Sequence, residues 1–228
     1  MDSYAVNIEN MRTCSLFSPD NTLAWRYIKE LERVWEALPL IPAYVQELAA
    51  ELNVSEYEKH PDNVWIHKTA NIAPSAYIGS NVIIGARTEV RHCAYIRKDV
   101  IVGDGAVVGN STELKNVILF DEVQVPHYNY VGDSILGYKS HFGAGVITSN
   151  VKSDSTPVSV SCGEMRIDTG LKKFGAILGD NVEIGCNAVL NPGTVIGSNA
   201  TVYPLSMVRG FIPAGSIYKK QGEVIEKR

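Results

Sequence analysis

The histidine and cysteine residues are the side chains of this sequence best suited to acid–base, nucleophilic or metal chemistry. His127 lies in the segment PHYNY, three residues before Tyr130. An imidazole with an ordinary pKa of ~6.5 can take a proton from an amine or hydroxyl near neutral pH. The cysteines form no CxxC pair of the kind that indicates a zinc site or redox dithiol, so we expect reduced thiols. They are Cys14, Cys93, Cys162 and Cys186.

A six-residue repeat predicts the element that positions these side chains. Apolar residues recur at every sixth position, with two one-residue slips and one long break. A helix would need apolar spacings of three and four, and an exposed strand would need strict alternation. The positions that follow the repeat are Ile66, Ile72, Ile78, Ile84, Val90, Ile96, Val102, Val108, Leu114, Leu119, Val125, Val131, Leu136, Phe142, Leu178, Ile184, Leu190, Ile196, Val202 and Val208.

The remaining positions of the repeat fit a short strand followed by a corner. The residue directly after the apolar one is often glycine, as at Gly79 and Gly85. The residue four places after the apolar one is often small, as at Ala70 and Thr88. We expect these glycines to adopt a positive φ at the turns. Three repeats would form one coil of a triangular prism, and about seven coils stacked at ~4.8 Å would give a length of roughly 35 Å. The sequence therefore predicts an all-β protein built as a parallel β-helix.

The residues before the repeat have the apolar spacing of helices. One helix is predicted over 22–38, with a capping start at 18–20, and a shorter one over 43–52. Residues 1–62 are therefore expected to form an N-terminal α-helical hairpin. It would cover an end or side of the solenoid, or pack against a neighbouring subunit.

The β-helix is expected over residues 63–209, with a C-terminal tail over 210–228. Residues 151–176 leave the repeat in an excursion rich in Ser, Asp, Gly and Lys. Long departures from a regular scaffold are usually functional or disordered. We expect this loop to be functional.

Charge and hydropathy exclude several classes of partner. The formal net charge is −4, whereas nucleic-acid binding relies on clustered Lys and Arg. No apolar run approaches the ~20 residues of a membrane helix, and the N-terminus does not resemble a secretory signal. We expect a cytoplasmic protein with no nucleic-acid and no membrane partner.

Two segments resemble a known family. VGNSTELKNVILFDEVQVPHYNYVGDSILGYKSHFGAGVITSN and KKFGAILGDNVEIGCNAVLNPGTVIG are similar to the acetyltransferase domain of the bifunctional N-acetylglucosamine-1-phosphate uridyltransferase/glucosamine-1-phosphate acetyltransferase. The similarity covers about 110 residues, from Tyr95 to Val208. It implies a left-handed parallel β-helix of the hexapeptide-repeat type. It also implies a homotrimer with sites between neighbouring prisms.

The resemblance also implies roles for individual residues. His127 corresponds to the catalytic base, although a corner residue without chemistry remains an alternative. The sugar phosphate or nucleotide sugar would be bound by Arg97, Lys115, Tyr130, His141, Asn150 and Lys173. Acetyl-CoA or another acyl-CoA would be the co-substrate, in contact with Cys186, Pro204 and Arg209. Neither a metal site nor a tightly bound cofactor is expected.

Departures from the family keep other functions open. His141 replaces an asparagine of the family, Cys186 and Pro204 replace small residues at the acetyl-CoA site, and the uridyltransferase domain is missing. The predicted function is an acyltransferase acting on a sugar phosphate or nucleotide sugar. One alternative is a non-acylating module that binds sugar nucleotides. Another is a zinc protein like the γ-type carbonic anhydrases, but the HxxxxH spacing of that family is missing.

Overall fold

The protein is a parallel β-solenoid preceded by short helices. The computed structural model describes residues 8–220 and 223–226. In this part of the chain, no helix is long and apolar enough to cross a membrane. The α-helices are Thr13–Leu16, Trp25–Ile28 and Ile41–Glu51, and the 3₁₀ helices are Ile8–Met11, Val34–Leu40 and Pro61–Asn63.

Two β-sheets form the walls of the solenoid, and a separate hairpin lies outside them. The larger sheet contains Tyr57–His60, Val64–His67, Tyr77–Ile84, Tyr95–Val102, Glu113–Leu119, Tyr130–Leu136, Ile147–Thr148, Ala176–Leu178, Val189–Leu190, Thr194–Ile196, Met207–Val208 and Phe211–Ile212. The second contains Asn71–Ile72, Glu89–Val90, Val107–Asn110, Gln124–His127, His141–Phe142, Glu183–Ile184, Thr201–Val202, Ser216–Lys220 and Glu223–Glu226. The hairpin is Ser159–Cys162 with Met165–Asp168.

Successive coils pair in register and form three faces. On the first face Ile84 pairs with Val102, and on the second face Val90 pairs with Val108. On the third face Ile96 pairs with Leu114. Long strands such as Tyr77–Ile84 bend around a corner and contribute to both the third and first faces. The predicted parallel β-helix is confirmed, while its left hand stays a prediction.

The six-residue repeat fills the core. From Ile84 to Val208, every apolar position of the repeat is buried. The small residues four places on, such as Ala106 and Thr112, are also fully buried. Each coil therefore adds apolar side chains to one continuous core.

The prediction of positive φ for the glycines after the apolar position was wrong. Positive φ occurs instead at Asn, Asp and other non-glycine corner residues, such as Asn81 and Asp99. The glycines are needed because the next coil passes too closely. A Cβ at Gly79 would lie 2.0 Å from the carbonyl oxygen of Arg97, and one at Gly109 would lie 1.7 Å from that of Pro126.

The N-terminal segment differs from the predicted helical hairpin. Residues 22–38 form the single turn Trp25–Ile28, a bend and most of the 3₁₀ helix Val34–Leu40, which continues directly into Ile41–Glu51. Pro42 lies in the first turn of Ile41–Glu51, where a backbone N–H would have no partner within the helix.

The helical segment packs along one side of its own prism. Asn81 Nδ2 donates to the Pro42 carbonyl at 3.0 Å, and Asn116 Nδ2 donates to the Leu38 carbonyl at 3.0 Å. No helix cap forms at 18–20; the Ser18 N–H donates to the Asp180 carboxylate at 2.6 Å instead. These contacts support the prediction that the segment covers a side of the solenoid.

The solenoid extends beyond the predicted start of the C-terminal tail at residue 210. Phe211 pairs in parallel with Val195, and Ile217 pairs in parallel with Thr201. Glu223–Glu226 then folds back antiparallel to Ser216–Lys220. Residues that we expected to leave the repeat therefore complete the last coil.

The edge between the first and second faces carries partly buried carboxylates. Asp121 Oδ1 accepts a hydrogen bond from the Asp104 N–H at 2.7 Å, and Asp104 Oδ1 accepts one from Ala86 at 2.8 Å. Burial, together with the nearby Asp104 carboxylate, raises the pKa of Asp121 to about 6, although the hydrogen bond from Asp104 opposes the shift. Ionisation of Asp121 above that pH therefore opposes folding.

Asp121→Asn is expected to stabilise the protein at pH 7.5 and to change little at pH 4. The folded state holds the Asp121 proton up to about pH 6, while the unfolded chain releases it near ~4, so wild-type stability falls as pH rises between these values. With allowance for solvent screening of this half-buried group, the gain at pH 7.5 is about 1 kcal/mol. Urea unfolding at the two pH values measures it. The exposed control Asp20→Asn should show no such difference, and an equal gain at both pH values would contradict the assignment.

Candidate functional site

Two prism edges border the third face and carry most of the predicted site residues. The histidine edge, between the second and third faces, stacks His92, Asn110, His127, Ala144, Cys186 and Pro204 in successive coils. The cationic edge, between the third and first faces, stacks Arg97, Lys115, Gly132, Ser149, Asn191 and Arg209. Gly132 follows His127 by five positions, so the two edges lie at most ~16 Å apart.

The His127 side chain is exposed at the end of strand Gln124–His127. Its backbone is fixed: the N–H donates to Asn129 Oδ1 at 3.1 Å, and the carbonyl accepts from Gly145 at 3.0 Å. Asn129 is buried and also donates to the Gly143 carbonyl at 2.9 Å. Within the described residues, the imidazole itself forms no hydrogen bond. A rigid corner therefore presents a histidine whose two ring nitrogens are available to a ligand.

The Asp133 carboxylate joins Lys115 of the cationic edge to two neighbouring asparagine residues. This carboxylate is 3% exposed. Lys115 Nζ donates to its two oxygens at 2.8 and 3.1 Å, and Asn116 Nδ2 donates at 3.0 Å. Asn150 Nδ2 donates to the same carboxylate. Two predicted substrate-binding residues, Lys115 and Asn150, thus share one buried anion that the sequence analysis missed.

Tyr130 lies beside this cluster. Its hydroxyl accepts a hydrogen bond from Asn150 Nδ2 at 3.3 Å. Burial raises the pKa of Tyr130, and the Asp133 and Glu113 carboxylates raise it further. Tyr130 therefore stays a neutral phenol that can donate to a ligand oxygen. Gly132 makes room for it, because a Cβ there would lie 2.6 Å from the Tyr130 hydroxyl.

Arg97 lies one coil from Lys115 and is more exposed. Its Nη1 contacts Glu113 Oε1 at 3.0 Å, and this hydrogen bond raises the pKa of Arg97. Exposed ion pairs of this kind are weak, so a phosphate can replace the Glu113 contact at little cost. Lys115, in contrast, is already neutralised by Asp133. Arg97 is therefore the stronger candidate for direct phosphate contact.

Other predicted residues lie apart from this group. His141 lies on the second face, where its Nδ1 is 2.8 Å from Oε2 of Glu183 on the paired strand. Lys173 is exposed, and among the described residues its side chain has no hydrogen-bond or ion-pair partner. Arg209 lies on the cationic edge, whereas Cys186 and Pro204 lie on the histidine edge. The residues predicted to contact acyl-CoA are therefore split between two edges.

The described residues contain no group of three or more His, Cys, Asp or Glu side chains close enough to hold a metal ion. His92 bonds to Ser75 through its Nδ1, and His141 bonds to Glu183. Each of these histidines thus has a different partner. The geometry gives no support to the zinc alternative.

Comparison with known proteins identifies the family. The bacterial transferase hexapeptide model of six repeats matches residues 59–92, and the model of the GMPPB C-terminal domain matches residues 87–196. The uncharacterised acetyltransferase YaiX of Escherichia coli is 32% identical over 206 residues, which cover 82% of this chain and 87% of YaiX. The chain belongs to the hexapeptide-repeat transferases. The resemblance seen in the sequence is confirmed at this level.

Larger bifunctional proteins also match this hexapeptide-repeat transferase. The bifunctional protein GlmU of Methanococcus vannielii is 38% identical over 136 residues, which cover 59% of this chain and 33% of GlmU. A bifunctional sugar-1-phosphate nucleotidylyltransferase/acetyltransferase of Sulfurisphaera tokodaii is 33% identical over 167 residues, covering 73% of this chain and 42% of the relative. The aligned region thus spans less than half the length of these relatives.

Among solved structures, comparison gives a match to the acetyltransferase domain of PglB from Neisseria gonorrhoeae in complex with acetyl coenzyme A. It is 19% identical, with a TM-score of 0.32, and the alignment covers 79% of this chain and 62% of that chain. Similarity at this level carries no information on the ligand of the present transferase.

Asp133→Asn is expected to lower the free energy of unfolding by about 3 kcal/mol, because it leaves the Lys115 cation largely buried and without a counter-ion. Asn keeps the shape and tolerates the positive φ of 48° at this corner. Urea unfolding measures the loss. The control is Asp99→Asn, at the same edge with a φ of 57°. Asp99 pairs with the exposed Lys98 and accepts a hydrogen bond from Asn81 Nδ2 at 2.8 Å, which an asparagine oxygen can still accept, so this variant should lose much less. Adding Lys115→Met to Asp133→Asn should recover stability; equal losses in both single variants would contradict the assignment.

Proposed function

We propose that this protein transfers an acyl group from acetyl-CoA or another acyl-CoA to an amine or hydroxyl of a sugar phosphate or nucleotide sugar. The proposal rests on one observation: an exposed His127 imidazole without a hydrogen bond among the described residues lies on one side of the third face, and Arg97 and Tyr130 lie at its other side. The acetyltransferase names of YaiX and of the bifunctional Sulfurisphaera tokodaii relative support the reaction class. A phosphate-bearing acceptor bound across the third face contacts both edges.

His127 is the general base in this proposal. As the acceptor nitrogen or oxygen attacks the thioester carbonyl, the imidazole takes its proton, and the new C–N or C–O bond forms. A backbone N–H of the prism wall stabilises the oxyanion. The C–S bond then breaks, and the imidazolium returns its proton to the leaving thiolate.

The cationic edge orients the acceptor. Arg97 exchanges its contact with Glu113 for a phosphate oxygen, and its planar guanidinium suits bidentate contacts. The Tyr130 hydroxyl and the Asn150 amide supply neutral hydrogen bonds beside it. Lys115 acts through Asp133, which holds Asn150 in place. Orientation of this kind lets the reacting amine or hydroxyl face His127 across the prism face.

A non-acylating module that binds nucleotide sugars is the second candidate. Cys186 and Pro204 are exposed and lie in line with His127 on the histidine edge, where the family resemblance implies acyl-CoA contacts with smaller or different residues. Pro204 also lacks the backbone N–H that another residue would offer to a pantetheine chain. Loss of donor binding with retention of nucleotide-sugar binding would favour this candidate.

The proposal includes a homotrimer. One column of the third face contains Glu113 between Tyr95 and Tyr130. Other positions of this column expose large apolar side chains, which usually mark an interface. They are Tyr77 at 62%, Tyr95 at 43%, Ile147 at 41% and Met207 at 47% exposure. Neighbouring subunits would cover this column and enclose the acceptor between the two edges. A cytoplasmic location is also proposed, because all four cysteines are unpaired, as in reducing compartments.

His127→Ala is expected to lower acyl transfer at least 100-fold, within the ~10²–10⁴ range of general-base catalysis, while the fold is kept. Release of free CoA thiol from acetyl-CoA in the presence of candidate acceptors measures turnover. His92→Ala, on the same edge two coils away, is the matched control and should keep activity near wild type. Unchanged turnover in His127→Ala would remove the catalytic assignment.

Tyr95→Glu is expected to dissociate the trimer, because it places a charge among the exposed apolar side chains of this column. Light scattering after size exclusion should give three times 24.9 kDa for the wild type and a smaller mass for the variant. Val54→Glu, at an exposed site on the N-terminal segment, should leave the mass unchanged. A monomeric wild type would contradict the proposed assembly.

A further inference from the structure

The excursion over residues 151–176 is an ordered lobe. Its hairpin pairs Ser159–Cys162 with Met165–Asp168 in antiparallel register. Val158, Val160 and Cys162 are buried at 1%, 0% and 1% exposure. An insertion that buries its own apolar residues has a defined position on the prism and can contribute fixed side chains to a ligand site.

The lobe docks on the cationic edge near the end of the solenoid. The prism offers glycine where the hairpin approaches: a Cβ at Gly193 would lie 2.8 Å from the Ser159 carbonyl, and one at Gly210 would lie 2.5 Å from the Ser161 carbonyl. Both glycines have a positive φ, 79° and 72°. The backbone of the last coils is thus shaped to receive the hairpin.

Two adjoining cavities lie between the lobe and this edge. One has a volume of 350 Å³ and the other 200 Å³, and they share Lys152, Pro192 and Arg209 as lining residues. Arg166 projects from the hairpin into the smaller cavity. The only carboxylate among the described lining residues is Asp154. The other polar lining residues are Ser149, Ser153, Ser159, Ser161 and Asn191.

The cations of this cleft are available to an anion. Within the described residues, Arg209 has neither a hydrogen bond nor an ion pair. Lys152 donates a hydrogen bond to Thr156 Oγ1 and contacts Asp154 at 3.5 Å. Arg166 contacts Asp168 at 3.7 Å. Pairs at such distances near the surface contribute little, so an incoming anion can replace them. Three cations and several hydroxyl groups around one space are the chemistry that binds phosphate groups.

We propose that this cleft binds the diphosphate group of a nucleotide-bearing ligand of the transferase. The inference rests on the proposed function for the identity of the whole ligand. Arg209 lies three coil steps from the coil of His127 and Gly132, which is about 14 Å along the prism axis. The cleft is therefore too far away for the reacting group, and suits the remote phosphates of an extended ligand. Acyl-CoA and nucleotide sugars both carry such a diphosphate.

The test is calorimetric titration of the full-length protein with inorganic pyrophosphate. Wild type should bind it with an affinity that weakens as salt rises, and Arg209→Ala and Arg166→Ala should each weaken binding about tenfold, as expected for loss of one charge-assisted contact. Lys29→Ala, an exposed cation outside the cleft, and His127→Ala should bind like wild type. Absence of binding, or equal weakening in Lys29→Ala, would overturn the proposal.

Competition identifies the source of the diphosphate. Displacement of pyrophosphate by coenzyme A assigns the cleft to the donor, and displacement by UDP-N-acetylglucosamine assigns it to the acceptor. Displacement by neither ligand would overturn the proposal. If pyrophosphate binding depends on Arg209 and is displaced by one ligand, while no acyl transfer is detected, the cleft stands and only the proposed function fails.

Discussion

The hydrogen-bonded stacking of one coil on the next constrains everything else in this molecule. Parallel strands pair in register from coil to coil, so residues at equivalent positions of the repeat are forced into columns ~4.8 Å apart. A column can be apolar and buried, as in the core, or polar and exposed, as at the edges. Candidate functional residues that are far apart in the sequence, from His92 to Arg209, thereby lie along the two edges of one face.

The same stacking explains why a charge is buried at the edge. At each corner the chain needs a residue that tolerates a positive φ, and Asn or Asp supplies it at positions 81, 99, 116 and 133. Their side chains then face one another between coils. Asp133 is the point where this structural column meets Lys115 and Asn150. Burial of its charge is costly alone and is offset by these donors, so the corner and the ligand-facing residues depend on one interaction.

Much of this arrangement was predictable, because it follows from periodicity. The core positions from Ile84 onward were read from the sixfold spacing, and His127 and Tyr130 from a resemblance in their local motif. Asp133 was missed because its role depends on contacts with residues 17 and 18 positions away, which only the coil register reveals. The glycine prediction failed for a similar reason, since the constraint at Gly79 comes from Arg97 in the next coil.

The N-terminal segment and the lobe show where local pattern is insufficient. Apolar spacing over 22–38 fits a helix, but the segment bends so that Leu38 and Pro42 can present carbonyls to the prism; tertiary contacts outweigh intrinsic helix preference. In the lobe, Val158 and Val160 alternate with serines in the sequence, so the sequence alone did not indicate that both are buried. The composition indicated that this segment leaves the repeat, but only its packing shows that it lines a cleft with Arg209.

The central claim is that the two edges serve a reaction between an acyl-CoA and a phosphate-bearing sugar. Its most direct test is calorimetric titration of the purified protein with acetyl-CoA and, separately, with UDP-N-acetylglucosamine. We expect saturable binding of acetyl-CoA, and a nucleotide-sugar affinity that falls when Arg97 is replaced by alanine. Nucleotide-sugar binding without any acetyl-CoA binding would contradict the acyltransferase assignment and leave His127 without its role as a base.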